Sequence, residues 1–273
     1  MNPIRKSILA GSWYPAKPSV LKNDILGYMN AAPDLHLDGG IAGIIVPHAG
    51  YVYSGPVAAH AYRLIRGQKY EAVILIGPSH RFAFPRVSIW SSGGYETPLG
   101  LVPIEETLAL RIKDGIDFIQ EEPVAHVREH SLEIQLPFLQ VALGDFSLVP
   151  LVMGDQSPGM CVRLAEAIAV AVQGKNVLVV GSSDLSHFHE ASAAEKLDTV
   201  VLKHIERNDT KGLLDSLSRE KAEACGGGPM VVTMLSVNRM GAKKVRLLKY
   251  AHSGAVTGDN SSVVGYAAAV CYR

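Results

Sequence analysis

The chain alternates short, unbroken apolar runs with longer stretches in which apolar residues recur every three or four positions. Ile41–Val46, Ala72–Ile76, Ser147–Val152 and Asn176–Val180 are rich in Val, Ile and Leu and end near Gly, Pro or Asp. Runs of this length without polar alternation predict strands buried on both faces. Pro18–Asn30 sets Leu21, Ile25 and Met29 four residues apart, the spacing of a helix with one buried stripe. Gly55–Ile65, Glu105–Ile112, Ser131–Leu143, Pro158–Val172, Ala191–Glu206, Thr210–Ser218 and Gly228–Val237 repeat that pattern, and Val245–Ala251 and Val263–Cys271 read as two late strands. Parallel strands need helical crossovers, and the spacings provide them. The expected fold class is therefore α/β: a single three-layer α/β/α domain over residues 1–273, with a mostly parallel or mixed central sheet. No repeat, low-complexity tract or Pro/Gly/Ser linker divides the chain.

In open α/β sheets, ligands bind beyond the carboxyl ends of the strands. Three of the apolar runs lead into polar loops there. Ile44–Val46 runs into Pro47-His48-Ala49-Gly50-Tyr51, and Ile74–Ile76 into Gly77-Pro78-Ser79-His80. Leu178–Val180 runs into Gly181-Ser182-Ser183-Asp184-Leu185-Ser186-His187-Phe188-His189. If these strands are neighbours, their histidines converge on one crevice. Imidazole is a common metal ligand, and two histidines in matching strand-end loops suit that use. A histidine that caps a strand or bonds a carbonyl is the plainer alternative. Asp184 and His187 would share a face on one helical turn, where a carboxylate fixes the tautomer of an imidazole acting as acid or base. Asp184 as a helix N-cap is the structural alternative.

Composition narrows the classes. Lys and Arg number 26 against 26 Asp and Glu, which argues against a protein that grips nucleic acid through a broad basic surface. At 48% apolar and 19% charged residues the chain can bury a sizeable core. It carries no run of 18 or more apolar residues and no leader-like apolar stretch after its first residues, so neither a membrane span nor a secretory signal is expected. Three cysteines far apart fit a reducing cytoplasm better than a disulfide framework. Cys161 and Cys271 lie within apolar patterns and read as core. Cys225 precedes Gly226-Gly227-Gly228-Pro229 and a helix pattern, a place where a helix N-terminus lowers a thiol pKa and favours a metal-binding or nucleophilic thiolate, unless it is a small buried turn residue. Glu129-His130-Ser131-Leu132-Glu133 opens a helix pattern. Glu133 there reads as a first-turn acid of a capping arrangement, and His130 as a residue open to a supporting role. Trp13, Tyr14, Tyr51 and Tyr53 suit pocket walls or plain packing. Dinucleotide, Walker-type and G-x-S-x-G signatures are absent from the sequence.

Several motifs, in order, resemble the Memo family, and above all its prokaryotic members in the AmmeMemoRadiSam set. They are Ala10-Gly11-Ser12-Trp13-Tyr14-Pro15, Pro47-His48-Ala49-Gly50-Tyr51 with Tyr53-Ser54-Gly55, and Gly77-Pro78-Ser79-His80. Glu129-His130-Ser131-Leu132-Glu133, Ser182-Ser183-Asp184-Leu185-Ser186-His187 and Tyr250-Ala251-His252-Ser253-Gly254 complete the set. The resemblance implies a fold similar to the LigB-type extradiol dioxygenases and a metal site of two histidines and a cysteine. His48, His80 and Cys225 would be its ligands, with His187 as acid or base and Asp184 beside it. Ring-cleaving relatives use a carboxylate as third ligand, whereas a thiolate is softer and oxidisable. The leading expectation is thus a metal-dependent oxidoreductase, with Fe(II) first and Cu or Zn as alternatives, acting on a small-molecule or peptide substrate. A non-catalytic scaffold that captures metal, peptide or protein partners in the same pocket is the second. A metal-free reading makes Cys225 a nucleophile, His187 its base and Asp184 the orienter, and leaves His48 and His80 without a role.

Overall fold

The computed structural model describes residues 3–273, so the first two residues of the expected 1–273 domain lie outside the described residues. β1 (Ile4–Arg5), α1 (Pro18–Ala31), β2 (Ile41–Val46), α2 (Tyr51–Leu64) and β3 (Ala72–Pro78) open the chain. β4 (Val87–Ile89), β5 (Gly94–Thr97), β6 (Gly100–Pro103), α3 (Glu106–Lys113), β7 (Ile119–Gln120) and α4 (Pro123–Val127) follow. A 3-10 turn at Glu133–Gln135 leads to α5 (Leu136–Leu143), β8 (Leu148–Met153), α6 (Pro158–Ala171) and β9 (Val177–Ser182). The remainder holds β10 (His187–His189), α7 (Ala191–Glu206), α8 (Thr210–Ser218), α9 (Gly227–Arg239), β11 (Lys244–His252), α10 (Gly254–Thr257) and β12 (Val263–Tyr272).

The four continuous apolar runs form the parallel heart of a nine-stranded mixed sheet, in the order β2-β9-β3-β8. Every residue of these four strands is buried, because helices cover both faces. α1, α2 and α5 pack together on one side; α6, α8 and α9 pack on the other, with α7 against β11 and β12. Glycine brings α9 close: a Cβ on Gly43 would lie 2.9 Å from Val237 Cγ1, and one on Gly181 would lie 2.6 Å from Thr233 Oγ1. The turn before α9, which carries Cys225, is thereby drawn up to the carboxyl ends of β2 and β9.

β12 runs antiparallel to β2, from Ala269 opposite Ile45 to Tyr272 opposite Ile41. Its first residues therefore project past the carboxyl end of β2, where Val263 and Val264 pair with β10. This corrects the helical turn expected for Asp184–His187. Residues 187–189 are a bulged strand in which Phe188 adopts φ 61° and is 77% exposed. The helix expected over Ser131–Leu143 also starts late, at Leu136, after the 3-10 turn at Glu133–Gln135 and with Pro137 in its first turn, where a missing N–H costs no helical bond. Residues 87–103, read without structure in the sequence, supply β4 and the hairpin β5–β6, which joins β1 in a separate three-stranded sheet. No helix among the described residues is long and apolar enough to cross a membrane.

Candidate metal centre

The strand order puts β9 between β2 and β3, so the loops bearing His48, Asp184 and His80 are neighbours. His48, His80, His130, Asp184 and His187 line one cleft of about 450 Å³, walled by Trp13, Tyr53 and Tyr266. Cys225 approaches from the α9 side, with Sγ 3.1 Å from His48 Nε2. One donor atom from each of His48, His80 and Cys225 lies within 4.8 Å of the others. A second such trio is His80, Glu129 and His130.

A closed hydrogen-bond chain orients His48. Tyr62 Oη donates to Gln135 Oε1 at 2.8 Å, which fixes that amide. Gln135 Nε2 then donates to Pro47 O at 2.9 Å and to Ser182 Oγ at 2.8 Å. The Ser182 hydroxyl donates to Ser131 O at 2.6 Å, so its oxygen is left to accept from His48 Nδ1–H at 3.1 Å. His48 Nε2 is therefore the nitrogen with the free lone pair, and it faces Cys225. Burial, with the nearby imidazoles of His130, His80 and His187, holds the His48 pKa well below its usual value, so the ring is the neutral ligand form at pH 7.

His80 is held differently. Its backbone N–H donates to Glu129 Oε2 at 2.6 Å and its Nδ1 lies 2.9 Å from Glu129 Oε1. Burial works to raise the Glu129 pKa, yet the hydrogen bonds and charge of His80 and the charge of His130 keep it down at about 2. The His130 ring stacks on His80 with centroids 4.2 Å apart and meets Trp13 at 4.7 Å. Burial leads the lowering of its pKa to about 4.

Asp184 and His187 do not form the expected pair. Asp184 Oδ1 accepts the His48 backbone N–H at 2.6 Å and so fixes the loop carrying that histidine; no helix is there for it to cap. Its burial raises its pKa to about 7. The carboxylate beside His187 is Glu223, which accepts the His187 backbone N–H at 2.9 Å, stands 4.0 Å from His187 Nδ1 and bonds His189 Nε2 at 2.7 Å. The thiol of Cys225 is pushed up by burial and by the charge of Asp184, against the lowering expected of a helix N-terminus. The imidazole beside that thiol is that of His48, not of His187, which removes the geometric basis of a Cys225–His187–Asp184 arrangement. Glu133 caps nothing: it is buried against Arg5. Of the four aromatics, Trp13 and Tyr53 wall the cleft, while Tyr14 and Tyr51 are core residues whose hydroxyls donate to Glu133 Oε1 and Ile134 O.

A family model described as Memo-like protein matches residues 5–270. A MEMO1 family protein of Thermotoga neapolitana is 37% identical over 279 residues, covering 98% of this chain and 99% of that protein. One from Nitrosopumilus maritimus is 36% identical over 270 residues, covering 97% and 98%. One from Methanobrevibacter smithii is 38% identical over 279 residues, covering 98% and 99%. Among solved structures, an uncharacterized protein JW3007 from Escherichia coli K12 shares the fold at a TM-score of 0.51 and 13% identity, over 84% of this chain and 99% of that one.

Proposed function

The chain belongs to the Memo family, and from that premise we propose that it binds one transition-metal ion through His48, His80 and Cys225 and works as a non-haem iron oxidoreductase on a small organic or peptide-derived substrate. The observation that carries this reading is the meeting of three donors from three separate loops within 4.8 Å. Two neutral imidazoles and one thiolate suit Fe(II), Cu or Zn rather than Mg or Ca, and three protein donors leave positions open. A bound iron would supply electron transfer and activation of an oxidant.

The chain's own residues do the rest. Asp184 fixes the His48 loop through the backbone, and the Ser182–Gln135–Tyr62 chain fixes the ring. Trp13, Tyr53 and Tyr266 hold substrate against the histidines and exclude water. His187, its backbone pinned by Glu223, is the imidazole proposed to hold or move a proton at the cleft wall. Cys225 in place of a carboxylate favours a second reading, a scaffold that captures metal and peptide without turnover.

The test is metal stoichiometry after separate anaerobic loading with Fe(II), Cu(I) and Zn(II), with His48→Ala, His80→Ala and Cys225→Ser beside the natural sequence. Near one metal per chain, lost in all three variants, is expected. No retained metal, or retention in all three variants, overturns the ligand set. Oxygen-dependent conversion of any bound compound by the iron form separates the enzyme from the scaffold.

A further inference from the structure

Glu129 and Asp184 are buried acids at this centre with no Arg or Lys in ion-pair distance among the described residues, and of the two only Glu129 bonds the ring of a candidate ligand. Glu129 is 1% exposed, and among the described residues only His80 and His130 stand within ion-pair distance of its carboxylate. Every hydrogen bond to it comes from an N–H. His80 backbone N reaches Oε2 at 2.6 Å; His80 Nδ1 at 2.9 Å and Ser131 N at 2.8 Å both reach Oε1. A group facing donors at both oxygens must be acceptor-only, which a carboxylate is and an amide is not. With Nδ1–H committed to Glu129, the free lone pair of His80 sits on Nε2. Both histidines thus offer Nε2, but one is held by a neutral hydroxyl and the other by an anion.

We propose that Glu129 is the positioning residue of the metal centre: it fixes the His80 tautomer and ring plane so that Nε2 binds the metal, and its buried charge makes His80 the stronger donor of the two imidazoles. This rests on the ligand set of the preceding section. A carboxylate behind a ligand histidine raises the basicity of the ring, and loss of such a partner costs roughly 10–100-fold in metal affinity. The buried anion also accounts for the cation the site takes. A divalent metal on the far side of His80 offsets a charge that elsewhere in this chain, at Glu133, is met by a guanidinium.

The test uses the full chain with Zn(II) and Co(II). Zn(II) affinity is measured by chelator competition for the natural sequence and Glu129→Gln. The thiolate-to-Co(II) charge-transfer band follows the Cys225 bond, and metal-free thermal unfolding checks the fold. Zn(II) binding weakened roughly 10–100-fold, with the charge-transfer band retained, is expected. Unchanged affinity in a folded Glu129→Gln protein overturns the role while leaving the metal reading intact; absence of metal from the natural sequence defeats the metal reading itself. Nitrogen-15 NMR of the zinc-loaded natural protein decides the matter even if Glu129→Gln fails to fold. A proton on His80 Nδ1 and metal on Nε2 are required; the reverse overturns the proposal.

Discussion

Glu129 and Glu133 stand four residues apart, and both are buried carboxylates, yet their surroundings use them in opposite ways. Glu133 has a resident cation: Arg5 is buried with it, and the contact is a direct ion pair. It also takes Ser7 Oγ at 2.7 Å, Ile8 N at 3.0 Å, Leu9 N at 2.9 Å and Tyr14 Oη at 2.6 Å. The result ties residues 5–14 to the start of α5 and carries Trp13 into the cleft. Glu129 has no such cation and turns its oxygens to the loop of a metal-ligand candidate. A compensated buried charge serves as an anchor; an uncompensated one beside an imidazole marks a candidate site.

The largest way to break this contrast is Arg5→Met. It removes the cation from Glu133 and the donors that reach His126 O at 3.1 Å and Glu129 O at 2.7 Å. Stranding one partner of a buried pair costs about 3–5 kcal/mol, read as a lowered midpoint in urea denaturation of the metal-free protein. Metal stoichiometry at low denaturant should be unchanged. Its loss in still-folded protein would mean that anchor and site are one unit.

Acid sharpens the contrast. His126 lies on the anchor side, with Nδ1 2.6 Å from Tyr95 Oη and Nε2 2.9 Å from Ser88 Oγ. Burial, and then the charge of Arg5, lower its pKa from 6.5 to about 3. The unfolded chain therefore binds a proton that the folded one refuses between those values, so this stability is full above 6.5 and is lost as pH falls toward 3. In His126→Gln the slope of metal-free stability against pH should flatten across that window by about 1.4 kcal/mol per pH unit. An unchanged slope would assign the acid sensitivity to the cleft histidines instead.

The parallel strands were legible because burial on both faces writes itself as an unbroken apolar run, and the strand-end loops then placed His48, His80 and Asp184 side by side. The short strands of residues 87–103 were not, since strands of three or four residues carry no periodicity. β10 was misread because Asp184 and His187 match helical spacing, while the pairing that makes a strand comes from Val263 and Val264, far along the chain. The partners Glu129 and Glu223 went unseen for the same reason: nothing local links either to the histidine it serves. Glu129 opens one of the motifs that carry the family resemblance, but the roles read in that motif were those of His130 and Glu133.

The smallest effect separates the two carboxylates most cleanly. Tyr14→Phe removes a single donor from Glu133 and keeps the ring's volume, so no cavity opens. A hydrogen bond to a charged group is worth about 1.5–3 kcal/mol. With the Arg5 ion pair and the Ser7, Ile8 and Leu9 donors still in place, the low end, about 1.5 kcal/mol, is expected in urea denaturation. Trp13, the next residue, packs on His130 with ring centroids 4.7 Å apart, so this change is the gentlest available push on the cleft wall from the anchor side. Zn(II) affinity should stay within twofold of the natural sequence, because no bond that orients His48 or His80 passes through Tyr14. A fall as large as that of Glu129→Gln would show that the anchor reaches the proposed metal ligands through Trp13 and His130, and would erase the distinction between the two glutamates.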